Sequence, residues 1–197
     1  MAIASYNNLG PRVAMSGGWK LHPDANSFRG ASTANQTGFA ADTYLAGSAV
    51  KFPLGRSPVV GASYHLRFDM VKTAAGTATP ILIIRFGTAG TVADTARLTF
   101  TFTAGSAAAD TGMFEVWAHW RVVGASSVLT GVASLNHALA ATGLTTGGTG
   151  GQFQVAVTSS AFDSTVAASY IGASFNGGTS FAGTNTLVQA EVTHPLV

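Results

Sequence analysis

From residue 49 onward the chain is built of short apolar and β-branched runs, each bounded by Gly, Ser, Thr, Asp or Pro, the punctuation expected of strands. SYHLRFDMV (63–71) alternates cleanly, with Tyr64, Leu66, Phe68 and Met70 on one face and His65, Arg67 and Asp69 on the other. A period of two puts one face on a core and leaves the other to solvent or a partner, as in a half-buried antiparallel strand. PILIIRFG (80–87) is apolar on both faces and predicts a central strand. ARLTFTFTA (96–104) returns to alternation, with Leu98, Phe100 and Phe102 inward and Arg97, Thr99 and Thr101 outward. MFEVWAHWRVV (113–123), SVLTGVASL (127–135), QFQVAVTSS (152–160), TVAASYIGASF (165–175) and NTLVQAEVTH (185–194) continue the series to about eight strands, with AVKFPL (49–54) as a ninth candidate.

Helical periodicity is absent. The best helical candidate, LNHALAATG (135–143), has suitable Ala and Leu content but spans under three turns and suits a strand end with a loop equally well. Many short strands with Gly-rich turns and no helical crossovers predict an all-β, antiparallel, jelly-roll-like β-sandwich, because a parallel sheet needs crossover connections. Residues 1–47 behave differently. They are rich in Asn, Ser, Gly and Ala, with Tyr6, Trp19, Phe28 and Phe39 spaced along them and no sustained period. They read as an irregular N-terminal anchoring arm whose aromatics dock on a partner, ahead of a sandwich domain over 48–197.

Charged residues make up 9% of the chain and hydrophobic ones 47%, with a net charge of +2. A surface this poor in charge predicts subunits that bury faces against one another. A homotrimer suits a lattice and a dimer is the alternative. The arginines stand singly, so no phosphate-tracking stripe is expected and nucleic acid is not a predicted partner. The start of the chain lacks the basic and continuous apolar regions of a secretory signal, and no run is long enough to span a bilayer, so no membrane role is predicted. Cysteine is absent, which removes disulfides and thiolate metal sites and fits assembly in a reducing cytoplasm.

Candidate chemistry is sparse. There is no Gly-x-Ser-x-Gly elbow and no HxH or HExxH spacing, and glutamate occurs only at Glu115 and Glu191. No catalytic, cofactor-binding or metal-binding residues are predicted, and the chain is expected not to be an enzyme; a polysaccharide-degrading carboxylate pair would have to come from single residues on distant strands. One loop sequence occurs twice, as TAGTVADT (88–95) and TAGSAAADT (103–111). Two equivalent loops are implied, with Gly90 and Gly105 supplying left-handed turns and Asp94 and Asp110 bonding local amides; a calcium loop is the sharper alternative, though each offers one carboxylate. TTGGTGGQ (145–152) lacks the Lys and helix of a phosphate loop and reads as a flexible loop. The most suggestive constellation is Glu115, Trp117, His119 and Arg121, which alternation places opposite Phe114, Val116, Ala118, Trp120 and Val122. An inter-subunit seam, a glycan-contact platform and intramolecular cross-strand packing are all open readings.

The run SYHLRFDMVKTAAGTATPILIIRFGTAGTVADTARLTFTFTAGSAAADTGMFEVWAHWRVVG, with LNHALAATGL, SSAFDST and SFNGGTSFAGTNTLVQAEV, resembles a family of virion proteins of tailed phages and prophages, over roughly residues 60–193. The shared motifs are turn and strand residues. The resemblance implies a structural component of the particle, such as a head decoration or head fibre or a tail appendage, and carries over no catalytic residues. It further implies contacts with the major capsid or other virion proteins, and with host glycans if the protein is an adhesin.

Overall fold

A computed structural model describes residues 27–52, 57–73, 75–147 and 152–195. Among these residues there is no helix, and twelve strands form two antiparallel sheets packed face to face. The strands are β1 (Ser27–Ser32), β2 (Thr43–Tyr44), β3 (Val50–Lys51), β4 (Ser63–Lys72), β5 (Ile81–Gly87), β6 (Thr95–Thr101), β7 (Asp110–Val122), β8 (Val128–His137), β9 (Gln152–Thr158), β10 (Tyr170–Asn176), β11 (Gly183–Thr184) and β12 (Val188–Thr193). The large sheet runs β1-β12-β4-β7-β8-β9, with β11 also on β4. The small sheet runs β2-β10-β5-β6, with β3 also on β10. Without the β8–β9 hairpin, the two layers β1-β12-β4-β7 and β3-β10-β5-β6 have the strand order of a jelly roll. All eight predicted runs contain a strand, and AVKFPL contributes β3.

The alternation read from the sequence decides which side each strand buries. Tyr64, Leu66, Phe68 and Met70 of β4 and Phe114, Val116, Ala118 and Trp120 of β7 face the small sheet, which answers with Leu82, Ile84, Leu98, Phe100 and Phe175. The centre is aromatic: Phe68 stacks on Phe114 with centroids 4.8 Å apart, and Phe102 and Phe175 each pack 5.3 Å from Phe114. PILIIRFG is interior in the sheet order as expected, yet β10 is the strand buried on both faces. Its outer side is covered because Tyr44 lies across Gly172, where a Cβ would collide with the phenol oxygen.

The expected boundary near residue 47 does not divide the structure. β1 pairs along its length with β12, and Phe39 and Leu45 are fully buried in the shared core. Of the four aromatics assigned to an anchoring arm, Phe28 packs on Phe52 and His194, and Phe39 packs on Phe175 at 5.8 Å, so neither is presented to a partner. Tyr6 and Trp19 lie outside the described residues. The stretch 135–143 ends β8 and then forms a loop: cross-strand pairing of Asn136 and His137 with Met113 and Gly112 outweighs local helix propensity.

Buried Tyr64 ties β4 to the connection between β2 and β3 by donating to the Ser48 carbonyl at 2.8 Å. Burial pushes its phenol well above the usual value, with Tyr44 adding to the effect, and burial followed by the Asp94 charge raises Tyr44 to about 12. The unfolded chain therefore loses these protons near pH 10 while the folded one retains them. The associated stability is intact below pH 10 and is lost as pH climbs through the folded values. We expect Tyr64→Phe to cost about 1–2 kcal/mol at neutral pH, from the carbonyl left without its donor, and to flatten the decline in urea midpoint above pH 10.

Candidate functional site

β7 and β4 lie side by side at the middle of the large sheet, in a register that sets His65 opposite Trp117 and Arg67 opposite Glu115. Their outward side chains therefore form one group. Glu115 Oε1 accepts from His65 Nε2 at 2.7 Å and lies 3.9 Å from Arg67 Nε. The His65 ring stacks on the Trp117 indole, with centroids 3.7 Å apart and planes 10° from parallel. His119 follows along β7, its ring 6.5 Å from the indole. On the far side of β4, Glu191 of β12 sits opposite both His65 and Arg29, and Arg29 Nη2 reaches Glu191 Oε1 at 3.2 Å.

The result is a face of alternating charge around an aromatic stack. Trp117 remains 45% exposed beside Val132 of β8, its cross-strand neighbour, which is 41% exposed. A shallow recess of about 350 Å³ lies beside the stack, lined by Arg29, Ala31, His65, Arg67, Gln189 and Glu191.

Glu115, Trp117 and His119 share this face as the sequence predicts. Arg121 follows them and is exposed as well, next to a bulge where the β7–β8 register shifts between Trp120 and Val122. The same bulge exposes Val122 to 46%, correcting its expected place with the buried set. Sequence reasoning missed His65 and Arg67 as members of the group. Their outward alternation was visible, but the register that joins β4 to β7 is a long-range property.

A second polar cluster is buried where β4, β7 and β8 end. Asp110 Oδ1 accepts from the amides of Thr111 (2.9 Å) and Leu139 (3.2 Å), and Oδ2 accepts from the Leu144 amide (2.9 Å) and bonds His137 Nδ1 at 2.7 Å. Lys72, opposite Asp110 in register, donates to the carbonyls of Ser106 and of Gly143, the latter at 3.1 Å. Burial pulls the Lys72 ammonium below its usual value, and Asp110 opposes that shift. His137 is thus a partner of a buried carboxylate.

This cluster also separates the two echoed loops. Asp94 accepts from the Ala89 and Gly90 amides within a β5–β6 hairpin, and Gly90 has φ +64°. The second loop instead carries the chain from the small sheet to the large one, and Asp110 holds distant amides of the 138–144 loop. Gly105 is not left-handed. It is needed because a Cβ there would fall 2.8 Å from the Gly143 carbonyl. Asp69 works similarly, gathering the amides of Thr186 and Leu187 (2.8 and 2.7 Å) and the Asn185 side chain (2.9 Å). Buried Arg85 donates to Ser174, Val92, Asp94 and Asp42. Among the described residues, no group of three or more His, Asp or Glu gathers in a metal-ligating arrangement. Compared with known proteins, the chain matches no family model and no curated sequence.

Proposed function

We propose that this chain is a non-enzymatic structural subunit of a tailed-phage particle, a capsid decoration or head-fibre component whose jelly roll contacts other virion proteins. The observation that carries this reading is the outer face of β4 and β7. Its charged groups already pair with one another, and Trp117 and Val132 stand exposed beside them, the composition of a protein contact. The sequence resemblance points the same way, as does the use of Asp69, Asp94, Asp110, Lys72 and Arg85 to hold loops in place.

In this reading the chain is assembled in the host cytoplasm and resides in the virion. Attachment falls to residues 1–26, which carry Tyr6 and Trp19, since residues 27–47 belong to the sandwich. A second reading, contact with host glycans by a tail appendage, draws on the exposed indole beside carboxylate and guanidinium groups. The His65 ring on one indole face leaves a sugar only the other.

Antibody-gold electron microscopy of purified particles tests the proposal. Labelling of the head or tail surface is expected, with loss of incorporation when residues 1–26 are deleted and the sandwich is left whole. Particles devoid of the protein would overturn it. A specific glycan-array signal abolished by Trp117→Ala would favour adhesion instead.

A further inference from the structure

We infer that β9 is a self-association edge, through which two copies of this chain pair antiparallel about a two-fold axis centred on Val155 and join their large sheets into one.

Exposed sheet edges invite pairing, and folded proteins block them with charge, proline, bulges, short strands or a covering segment. Three of the four edges here are blocked. β1 carries the exposed Arg29, and residues 47–49 lie over its Gly30, where a Cβ would fall 2.5 Å from the Gly47 carbonyl. β2 and β3 are two residues each, and β6 carries Arg97 and a register shift against β5. Among the described residues, β9 has none of these devices. It is seven residues long, has no proline and no register shift against β8, and ends the large sheet. It also lies within a stretch from Val122 to Phe162 that contains no Asp, Glu, Lys or Arg. The hairpin that extends the jelly roll is therefore the most charge-free part of a charge-poor chain.

The backbone fixes which groups are available. The Ser159 amide donates to the Leu129 carbonyl at 2.8 Å, and antiparallel alternation then turns the main-chain groups of Val157, Val155 and Phe153 toward β8. Those of Gln154, Ala156 and Thr158 point away from the sheet. A two-fold axis at Val155 sets Gln154 opposite Ala156 of the second copy, so that these outward groups exchange hydrogen bonds. It also sets Val155 opposite itself and Phe153 opposite Val157 of the second copy, as non-hydrogen-bonded pairs with the closer side-chain approach. Phe153, Val155 and Val157 face inward but are only half-buried in the single chain. Pairing would cover them, and no charge on either strand opposes it. The occupant favoured is thus a second copy related by two-fold symmetry, the dimer that the sequence allows as the alternative to a homotrimer.

The inference does not rest on the virion reading and is tested on the purified full chain. Wild type should sediment as a dimer. Because the chain has no cysteine, Val155→Cys supplies a single thiol. Opposed Cβ atoms at about 4.5–5.5 Å approach the ~3.5–4.5 Å that a disulfide spans, so oxidation should yield a covalent dimer on non-reducing gels. Ala156→Pro removes an amide that faces away from β8, and should give a monomer with unchanged far-UV circular dichroism and no cross-link when combined with Val155→Cys. A wild-type monomer throughout the micromolar range would overturn the pairing. So would a dimer in which Val155→Cys fails to cross-link, a result that stands even if the proline variant misfolds. Either outcome leaves the particle-labelling result intact.

Discussion

Replacing Asp110 with alanine should destabilise the fold by about 3–5 kcal/mol, a large share of the roughly 5–15 kcal/mol that holds a domain together. The carboxylate is fully buried and accepts from three backbone amides and the His137 ring. Its removal leaves those donors without acceptors and leaves the Lys72 ammonium buried without its nearest counter-charge. Asparagine should rescue little. Both carboxylate oxygens face N–H donors, so an amide NH2 would meet a donor whichever way it turned. The pH dependence identifies the charge component. Burial lowers Lys72, so between its folded value and 10.5 the unfolded chain binds more protons and stability rises with pH. Loss of Asp110 lowers Lys72 further and extends that window downward. In urea titrations at pH 7 and 9, the deficit of Asp110→Ala relative to wild type should shrink at the higher pH, and it should be smaller in a Lys72→Met background. A deficit unchanged by pH or background would assign the whole effect to lost hydrogen bonds.

The same residue shows how far the sequence could be read. Strand alternation was legible because burial selects a face locally: Tyr64, Leu66, Phe68 and Met70 needed no knowledge of their partners. Turn chemistry was legible for Asp94, which bonds amides four and five residues away. Asp110 carries an almost identical loop sequence, yet its partners lie 29 and 34 residues on, because its loop crosses between sheets. The arm reading failed over residues 27–47 for a related reason. Residues 27–47 lack periodicity because they supply short pieces to both sheets, β1 to one and β2 to the other. Isolated aromatics in such a segment mark single insertions into a core at Phe28 and Phe39, and sequence alone does not distinguish that core from a partner's surface. At the candidate site the four outward residues of β7 were visible, whereas His65 required the β4–β7 register and the exposure of Val122 required the bulge.

Phe114→Ala and Trp117→Ala remove large aromatics three residues apart on one strand, and their outcomes should diverge. Phe114 is fully buried, stacked on Phe68 and edge-packed against Phe102 and Phe175. Interdigitated rings from both sheets leave little freedom to collapse into the space, so the cost should be about 3–5 kcal/mol. For a chain of this size that is a fall in melting temperature on the order of 10 °C. Trp117 keeps nearly half its surface exposed and touches the fold through the His65 stack and its strand neighbours. Its truncation should cost under about 1 kcal/mol, the scale of a single cross-strand pair. A tryptophan whose removal the isolated fold tolerates has little structural reason to stand on that face. If Trp117→Ala proves as costly as Phe114→Ala in denaturant melts, the β4–β7 face serves the fold itself. If it is mild in solution but reduces incorporation into particles, the face serves a partner.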